Sequence, residues 1–340
     1  MVEEKQKPLT REDVLKRIEE NNGKTGGLDL SGRVFEEGID LSDLDLHGII
    51  LKDARFPTHF EGNQLVGAKF DGSDLTGADL RSINFQYAQF KKLNKQPTCL
   101  AIADLRGSSL LNANFQGADL TGTKLGDVAE AEGYQAAMPD DTDFRGANLF
   151  RANFKGCYFY GTKLEGAFIR GADILEAHLE EADWGNYKIG EENKKDFYSA
   201  ENRYRLLKVW YTNASIYDIA AKFYYREKEA KRKALKWYSR HRLALEVLRA
   251  LFGYGEDWKR VLYWMGLVVF GSAAAYYLSG ELNLLYSLYF SVVSFTALGY
   301  GKWVDITPQG WAQALGAFQS FTGVFMMALL LVTFVRKWTR

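Results

Sequence analysis

The chain has 340 residues, with 43 basic and 43 acidic side chains and a formal net charge of zero. This length favours two or three domains, and the neutral balance argues against a strongly basic nucleic-acid binder. Two cysteines exclude a disulfide scaffold, and an aromatic content of 14% excludes disorder. The net charge of zero results from two opposite contributions, because residues 24–190 carry a net charge of −8 and residues 191–260 a net charge of +7.

The first predicted element is a short polar helix over residues 10–21. Thr10 and Asp13 have the spacing of a capping box, in which two side chains satisfy free backbone N–H groups at the start of a helix. We expect residues 1–23 to form a helical cap on the segment that follows.

A five-residue repeat occupies most of residues 24–190. A Leu or Phe returns every five residues, a small residue lies two positions before it, and Asp or Asn often lies between, as in Ala78-Asp79-Leu80. Neither a helix, with a period of 3.6, nor a flat strand, with a period of 2, produces this pattern. A coil with one repeat on each side of a square does, with the large residue pointing inward. The breaks at residues 91–97 and 126–141 are expected to be loops.

These repeats resemble the pentapeptide-repeat family, whose motif is A(D/N)Lxx. The resemblance implies a right-handed quadrilateral β-helix. Some members of that family are acidic and imitate DNA to bind gyrase, and the charge of −8 permits this interpretation. Because the repeat itself demands Asp and Asn, a rigid scaffold or interaction surface is the simpler hypothesis.

Residues 191–260 are predicted to form a basic helical neck. Helices are expected over residues 197–212 and 215–238, and residues 243–252 have the apolar spacing of a helix that lies on a membrane surface. Arginines and aromatic residues are interleaved here, as they are in nucleic-acid binders. A basic cluster before an apolar segment is more simply the cytoplasmic flank of a membrane protein in contact with membrane lipid, so no nucleic-acid partner is expected.

Residues 261–340 are predicted to form a pore domain with two membrane spans. Residues 261–278 and 311–335 contain no charged side chain, and each segment is long enough to cross a bilayer. Basic residues precede the first span and follow the second, whereas the connection between them has only Lys302. This bias predicts a multi-pass protein of the cell membrane, plasma or inner, with both termini in the cytoplasm.

Between the spans, residues 284–295 are apolar but too short to cross, which is typical of a re-entrant helix. The following Thr296-Ala297-Leu298-Gly299-Tyr300-Gly301 resembles the potassium-channel pore loop, whose filter is TVGYG. The resemblance implies a homotetramer in which rings of carbonyls replace the hydration shell of a permeant monovalent cation, K⁺. It implies no further cofactor.

The filter departs from the family at several positions. Ala297 stands where the family has Thr, which removes one ring of oxygens, and Leu298 replaces Val. At the predicted outer mouth, Lys302 replaces the family's Asp, and Asp305 belongs to a displaced copy of the family's D-I-x-P. A ring of four lysines would repel cations, so the substitutions leave the ion selectivity open.

The second span contains a predicted hinge and inner gate. Gly323 lies where the family has its inner-helix hinge glycine, and Met327, Leu331 and Val335 follow at four-residue intervals on one face. A ring of such apolar side chains can gate a pore by dewetting. Close helix packing explains Gly323 equally well.

The sequence thus predicts a tetrameric, potassium-channel-like cation channel with a cytoplasmic pentapeptide-repeat domain as its candidate regulatory part. The ligand or protein partner of that domain is left open. A non-selective cation channel is one alternative, and a membrane-anchored pentapeptide-repeat scaffold with a non-conducting pore is another. No catalytic set and no metal-ligand spacing occurs in the sequence, so no enzyme is expected.

Overall fold

The computed structural model describes residues 7–56, 64–126, 136–174, 176–280, 282–298 and 310–338. The chain divides into two compact units, Met1–Ala230 and Lys231–Arg340.

The first unit begins with helix α1, Arg11–Glu20, which has the predicted capping box. The Thr10 hydroxyl accepts a hydrogen bond from the backbone N–H of Asp13 at 3.1 Å, and the Asp13 carboxylate accepts one from the backbone N–H of Thr10 at 3.0 Å. The hydrogen bonds from Thr10 lower the pKa of the Asp13 carboxyl. The predicted helix is therefore confirmed to within one residue at each end.

The repeat segment is a stack of chain turns joined by isolated parallel bridges, and no longer strand is assigned in the part of the chain that the structure describes. In its uninterrupted part, bridge partners are twenty residues apart, as in Gln64 with Asn84 and Lys69 with Gln89. Each turn there holds four five-residue repeats. Where Asp74 pairs with Cys99 the separation grows to 25 residues, because the break at residues 91–97 inserts extra chain.

The large residues of the repeats form the core of this stack. The rings of Phe70, Phe90 and Phe115 lie one above another, with centroid distances of 5.1 and 4.5 Å. Small residues that precede repeat centres, such as Ala78 and Ala118, are also buried. The inward direction predicted for the large residue is confirmed.

Polar side chains support the stack in two ways that the sequence did not predict. Where Ser or Thr takes the small position, its buried hydroxyl donates to a carbonyl of the preceding turn, as from Thr123 to Leu100 O at 2.8 Å. The Asp or Asn of the repeat accepts from the backbone N–H two residues later, as Asp119 does from Thr121 at 3.1 Å. The acidic residues of the repeat therefore have a local structural role, which favours the scaffold interpretation of the charge.

Three aspartates of the repeats also form ion pairs with an arginine two residues later. The Asp–Arg distances are 2.6 to 2.7 Å. They join Asp79 to Arg81, Asp104 to Arg106, and Asp143 to Arg145. The negative charge of each of these three aspartates is therefore balanced by a neighbouring positive charge.

The predicted loop at residues 91–97 is a small hairpin. Leu93 and Gln96 form an antiparallel bridge, and the Thr98 hydroxyl at its base accepts from the Gly72 N–H at 2.8 Å. Residues 127–135 of the second predicted loop lie outside the described residues.

Helices α2 (Gly190–Asn193), α3 (Phe197–Asn213) and α4 (Tyr217–Ala234) follow the repeats. The indole N–H of Trp184 in the last turn donates to the Tyr211 hydroxyl of α3 at 2.7 Å, and that hydroxyl donates to Leu179 O at 2.7 Å. Burial raises the pKa of the Tyr211 hydroxyl. Helix α3 thus covers the open end of the repeat stack, whose backbone groups would otherwise lack partners.

The second neck helix is shorter than the predicted 215–238. Ser215 adopts a left-handed conformation with φ of 61°, so the helix starts only at Tyr217. It ends at Ala234, after which Arg242 donates to the carbonyl of Leu235 at 3.0 Å and so satisfies a group at the helix end.

We expect the contact between α3 and α4 to weaken in acid. Glu227 of α4 is buried, and its carboxylate accepts from Lys208 at 2.8 Å and Arg205 at 3.3 Å. Burial acts to raise the pKa of Glu227, but these hydrogen bonds and the charges of Lys208 and Lys228 outweigh it, and the pKa lies below its usual value. A lowered pKa stabilises the fold above the unfolded value of about 4.3, and this contribution disappears as the pH falls through the lower, folded value.

Urea unfolding of the chain between pH 3 and 6 measures this contribution. Glu227→Gln should flatten the acid side of the stability profile, whereas the exposed Glu181→Gln should leave it unchanged. If the free energy of unfolding falls equally steeply in acid for wild type and Glu227→Gln, protonation of Glu227 is not coupled to unfolding.

The second unit contains α5 (Arg240–Phe252), a short 3₁₀ turn (Gly253–Gly255), α6 (Trp258–Leu278), α7 (Leu284–Thr296) and α8 (Trp311–Trp338). Helix α5 is longer at its start than the predicted 243–252, and Leu243 and Val247 on its apolar face are exposed. Helix α6 is capped by Asp257, which accepts from the Arg260 N–H at 3.3 Å. The helices α6, α7 and α8 pack against one another.

Candidate functional site

The short helix α7 lies between the two long apolar helices α6 and α8. Its start is capped by Asn283, whose side-chain oxygen accepts from the Tyr286 N–H at 3.0 Å. Its inner face is buried, and the ring of Phe290 meets the edge of Tyr276 in α6 at a centroid distance of 4.9 Å. The helix predicted over residues 284–295 is confirmed, with Thr296 added. At about 1.5 Å per residue, it is too short to cross a bilayer.

The first residues of the predicted filter form the end of α7. Thr296 is its last residue, and the Thr296 hydroxyl donates back to Val292 O at 2.8 Å. Ala297 adopts a left-handed conformation with φ of 54°, and the side chain of Leu298 is 80% exposed in the single chain. The helix therefore ends where the filter motif begins.

The left-handed Ala297 gives an expectation for substitutions. The left-handed conformation destabilises a non-glycine residue by about 1 kcal/mol, and a β-branched residue by more. Ala297→Gly should raise the thermal unfolding midpoint in detergent, and Ala297→Thr should lower it. The same two changes at the exposed, helical Ala274 serve as the control, since there glycine should destabilise. Destabilisation by Ala297→Gly would contradict the strained conformation.

The remaining filter and mouth residues lie outside the described part of the chain. They are Gly299, Tyr300, Gly301, Lys302 and Asp305. Helix α8 begins at Trp311, the first residue of the second predicted span, after Gly310 with φ of 64°.

Gly323 of α8 contacts the end of α7. A Cβ atom on Gly323 would overlap the carbonyl oxygen of Phe295 and lie 2.7 Å from its carbonyl carbon. The absence of a side chain is thus what allows the two helices to approach at this point. This contact supports the packing interpretation of Gly323.

Two of the three predicted gate residues line a groove between α6 and α8. Met327 and Leu331 contribute to it from α8, and Trp258 and Leu262 from α6, around a volume of about 380 Å³. Val335 lies farther along α8 and is exposed in the single chain.

Sequence reasoning missed three polar residues that meet between these helices. Tyr276 of α6, Ser291 of α7 and Gln319 of α8 are fully buried and joined by hydrogen bonds. A glutamine in the middle of an uncharged span was a usable signal, because polar side chains in spans usually have a partner or a function. Which residues would be its partners could not be derived from the sequence.

Comparison with known families matches both parts of the chain. An ion-channel family matches residues 263–340. Pentapeptide repeats match in eight copies, over residues 64–94, 99–128 and 140–174. The comparison with curated proteins finds no match.

Solved structures similar to the chain are pentapeptide-repeat proteins. Rfr23 of the cyanobacterium Cyanothece 51142 is 20% identical over 43% of this chain and 91% of its own, with a TM-score of 0.26. HetL of Nostoc sp. strain PCC 7120 is 21% identical over 51% and 96%, with a TM-score of 0.19. A thylakoid-lumen protein of Arabidopsis thaliana is 30% identical over 32% and 70%, also with a TM-score of 0.19. Scores this low add nothing to the family match.

Two described helices are long and apolar enough to cross a membrane, Trp258–Leu278 and Trp311–Val335. Only 17% and 22% of their most apolar windows are buried, unlike core helices of soluble proteins. Together with the ion-channel match, they mark a membrane protein.

Proposed function

Since the chain joins pentapeptide repeats to an ion-channel domain, we propose that it is one subunit of a homotetrameric, potassium-channel-like cation channel. The observation that carries the proposal is helix α7, packed between two apolar helices and ending at the first residues of Leu298-Gly299-Tyr300-Gly301. One subunit supplies one wall of such a filter, so four copies around an axis complete it. A permeant K⁺ would be bound by carbonyl rings, and lipid would cover the outer faces of α6 and α8.

The proposed topology has both termini and the repeats in the cytoplasm of the cell membrane. Its support is the charge distribution, with basic residues before α6 and at the end of the chain. In this arrangement the repeats form a right-handed quadrilateral β-helix, supported by the twenty-residue bridge spacing, and serve as a regulatory or scaffold surface.

We expect the purified protein to carry K⁺ into liposomes and Gly299→Asp to abolish the flux, because a carboxylate and a side chain would intrude where the filter backbone must approach the ion. Na⁺ flux measured beside K⁺ flux separates a selective from a non-selective pore. Mass analysis in detergent tests the tetramer. A wild type without flux, indistinguishable from Gly299→Asp, would leave the membrane-anchored scaffold as the function.

A further inference from the structure

The polar residues between α6, α7 and α8 form a continuous hydrogen-bond network. The Tyr276 hydroxyl donates to the Gln319 side-chain oxygen at 3.2 Å. The Gln319 amide nitrogen donates to the Ser291 hydroxyl at 2.6 Å and to the Ser291 carbonyl at 2.9 Å. The Ser291 hydroxyl donates to Val269 O at 2.7 Å, which returns the network to α6. One glutamine of α8 therefore connects all three helices.

The network is buried in an apolar environment. Tyr276, Ser291 and Gln319 each have a relative exposure of 0%. Inside a bilayer no water competes for these groups, and a polar group left without a partner is costly. The Gln319 amide consequently has a strong preference for the one arrangement in which its oxygen and its nitrogen are both satisfied. Such a buried network selects a single register between helices, where apolar contacts alone would permit sliding.

Three contacts between α8 and α7 lie in the half of α7 that leads into the filter motif. Gln319 contacts the carbonyl of Ser291, and Ser320 donates to the carbonyl of Ser294 at 2.7 Å. One turn farther along α8, Gly323 lies against the carbonyl of Phe295. Three contacts thus hold α7 between Ser291 and Phe295, and the two at Ser294 and Phe295 lie in its last turn, immediately before Ala297. All three lie in the second half of the helix, on the side of the filter motif.

We infer that Gln319 is a positioning residue for ion permeation, and this rests on the proposed channel function. Its amide, oriented by Tyr276, holds the second half of α7 through Ser291 and thereby sets the position at which the backbone that follows Thr296 starts. Gln319 does not touch the ion. Loss of the Gln319 amide changes the geometry of the filter and how stably its backbone is held, and with them the relative permeability to K⁺ and Na⁺.

The experiment replaces Gln319 by leucine in the full chain, with Gln313→Leu as the matched control on an exposed position of the same helix. Gln319→Leu removes three buried hydrogen bonds. We expect it to change the K⁺/Na⁺ permeability ratio by at least about threefold to tenfold, which is the effect of losing one such bond. Amide exchange at residues 292–298 should accelerate by a similar factor. Gln313→Leu should change neither quantity.

Two further variants separate positioning from general stability. Tyr276→Phe removes the hydroxyl that orients the amide and leaves the Gln319 side chain in place, so it should shift the ratio in the same direction by a smaller factor, with the tetramer mass unchanged. Gln319→Glu keeps an oxygen for Tyr276 and, as the protonated acid that burial favours, keeps one donor for Ser291. Gln319→Glu should therefore have a K⁺/Na⁺ permeability ratio between those of Gln319→Leu and the wild type.

The outcomes distinguish this inference from the proposed function. If the wild type conducts, Gly299→Asp blocks it, and both Gln319→Leu and Tyr276→Phe keep the wild-type ratio and exchange, the positioning role is wrong and the channel stands. If Gln319→Leu does not assemble, Tyr276→Phe decides by the same criteria. If the wild type carries no ion flux, the channel function fails and the positioning role fails with it.

Discussion

Gly323→Ala should reduce cation flux about tenfold or more. The added methyl group would overlap the carbonyl oxygen of Phe295, which is backbone and cannot rotate away, so α7 and α8 must separate. Overpacking of this kind costs about 1 to 3 kcal/mol in well-packed interiors. Because the contact lies at the turn of α7 before Ala297, we expect the displacement to reach the filter. Flux into liposomes and amide exchange of residues 292–298 measure it.

The same chain offers matched glycine controls. Gly266 and Gly271 lie in α6, and a Cβ atom on either glycine would have no atom of the described residues within 4 Å, so alanine there should leave flux and exchange unchanged. A hinge role for Gly323 makes a different prediction. If Gly323→Ala alters only the opening of the channel and the exchange of α7 stays as in wild type, the hinge interpretation is correct and the packing interpretation is wrong.

Phe223→Ala should destabilise the first unit by about 3 to 5 kcal/mol. The Phe223 side chain is fully buried in α4, and its ring lies 5.4 Å from Trp184 and 5.5 Å from Tyr211 between centroids. Tyr204 and Tyr187 complete the aromatic cluster. Removing the ring leaves a cavity between the neck helices and the last turn of the repeats, so that end of the stack loses its cover.

Urea unfolding and amide exchange at residues 163–184 detect this loss. The last turns of the repeats should exchange faster, while turns nearer α1 change less, because stacked repeats contact only their neighbours. Tyr198→Ala is the control, since that side chain is 74% exposed on α3. If amide exchange accelerates equally in all turns, the stack opens as one unit and the neck helices do not stabilise its last turns locally.

The elements were predictable from sequence wherever one local pattern specifies them. The five-residue spacing predicts the buried column of Leu and Phe, Thr10 and Asp13 predict the start of α1, and the length of the apolar segment predicts α7. Each of these signals lies within a few residues of chain, so no knowledge of neighbours in space is needed.

The features that depend on contacts between distant residues could not be derived in this way. The partners of Gln319 lie 28 and 43 residues away, and no spacing rule connects them. The choice between a hinge and a packing glycine at Gly323 depends on what lies opposite its Cα, here the carbonyl of Phe295. The left-handed Ala297 was also unexpected, because alanine carries no preference for that conformation.

The change of bridge spacing from twenty to 25 residues identifies a place where the chain accepts grafted sequence. The turns above and below the hairpin of Leu93 and Gln96 keep their pairing although extra residues lie between them, and the Thr98 hydroxyl closes the base of the hairpin by donating to Lys91 O at 2.8 Å. A tag or fluorescent label inserted beside the exposed Lys95 would therefore project from the side of the stack without shifting its register. The repeat segment thus provides an attachment point for imaging the protein in a membrane while both of its ends remain untouched.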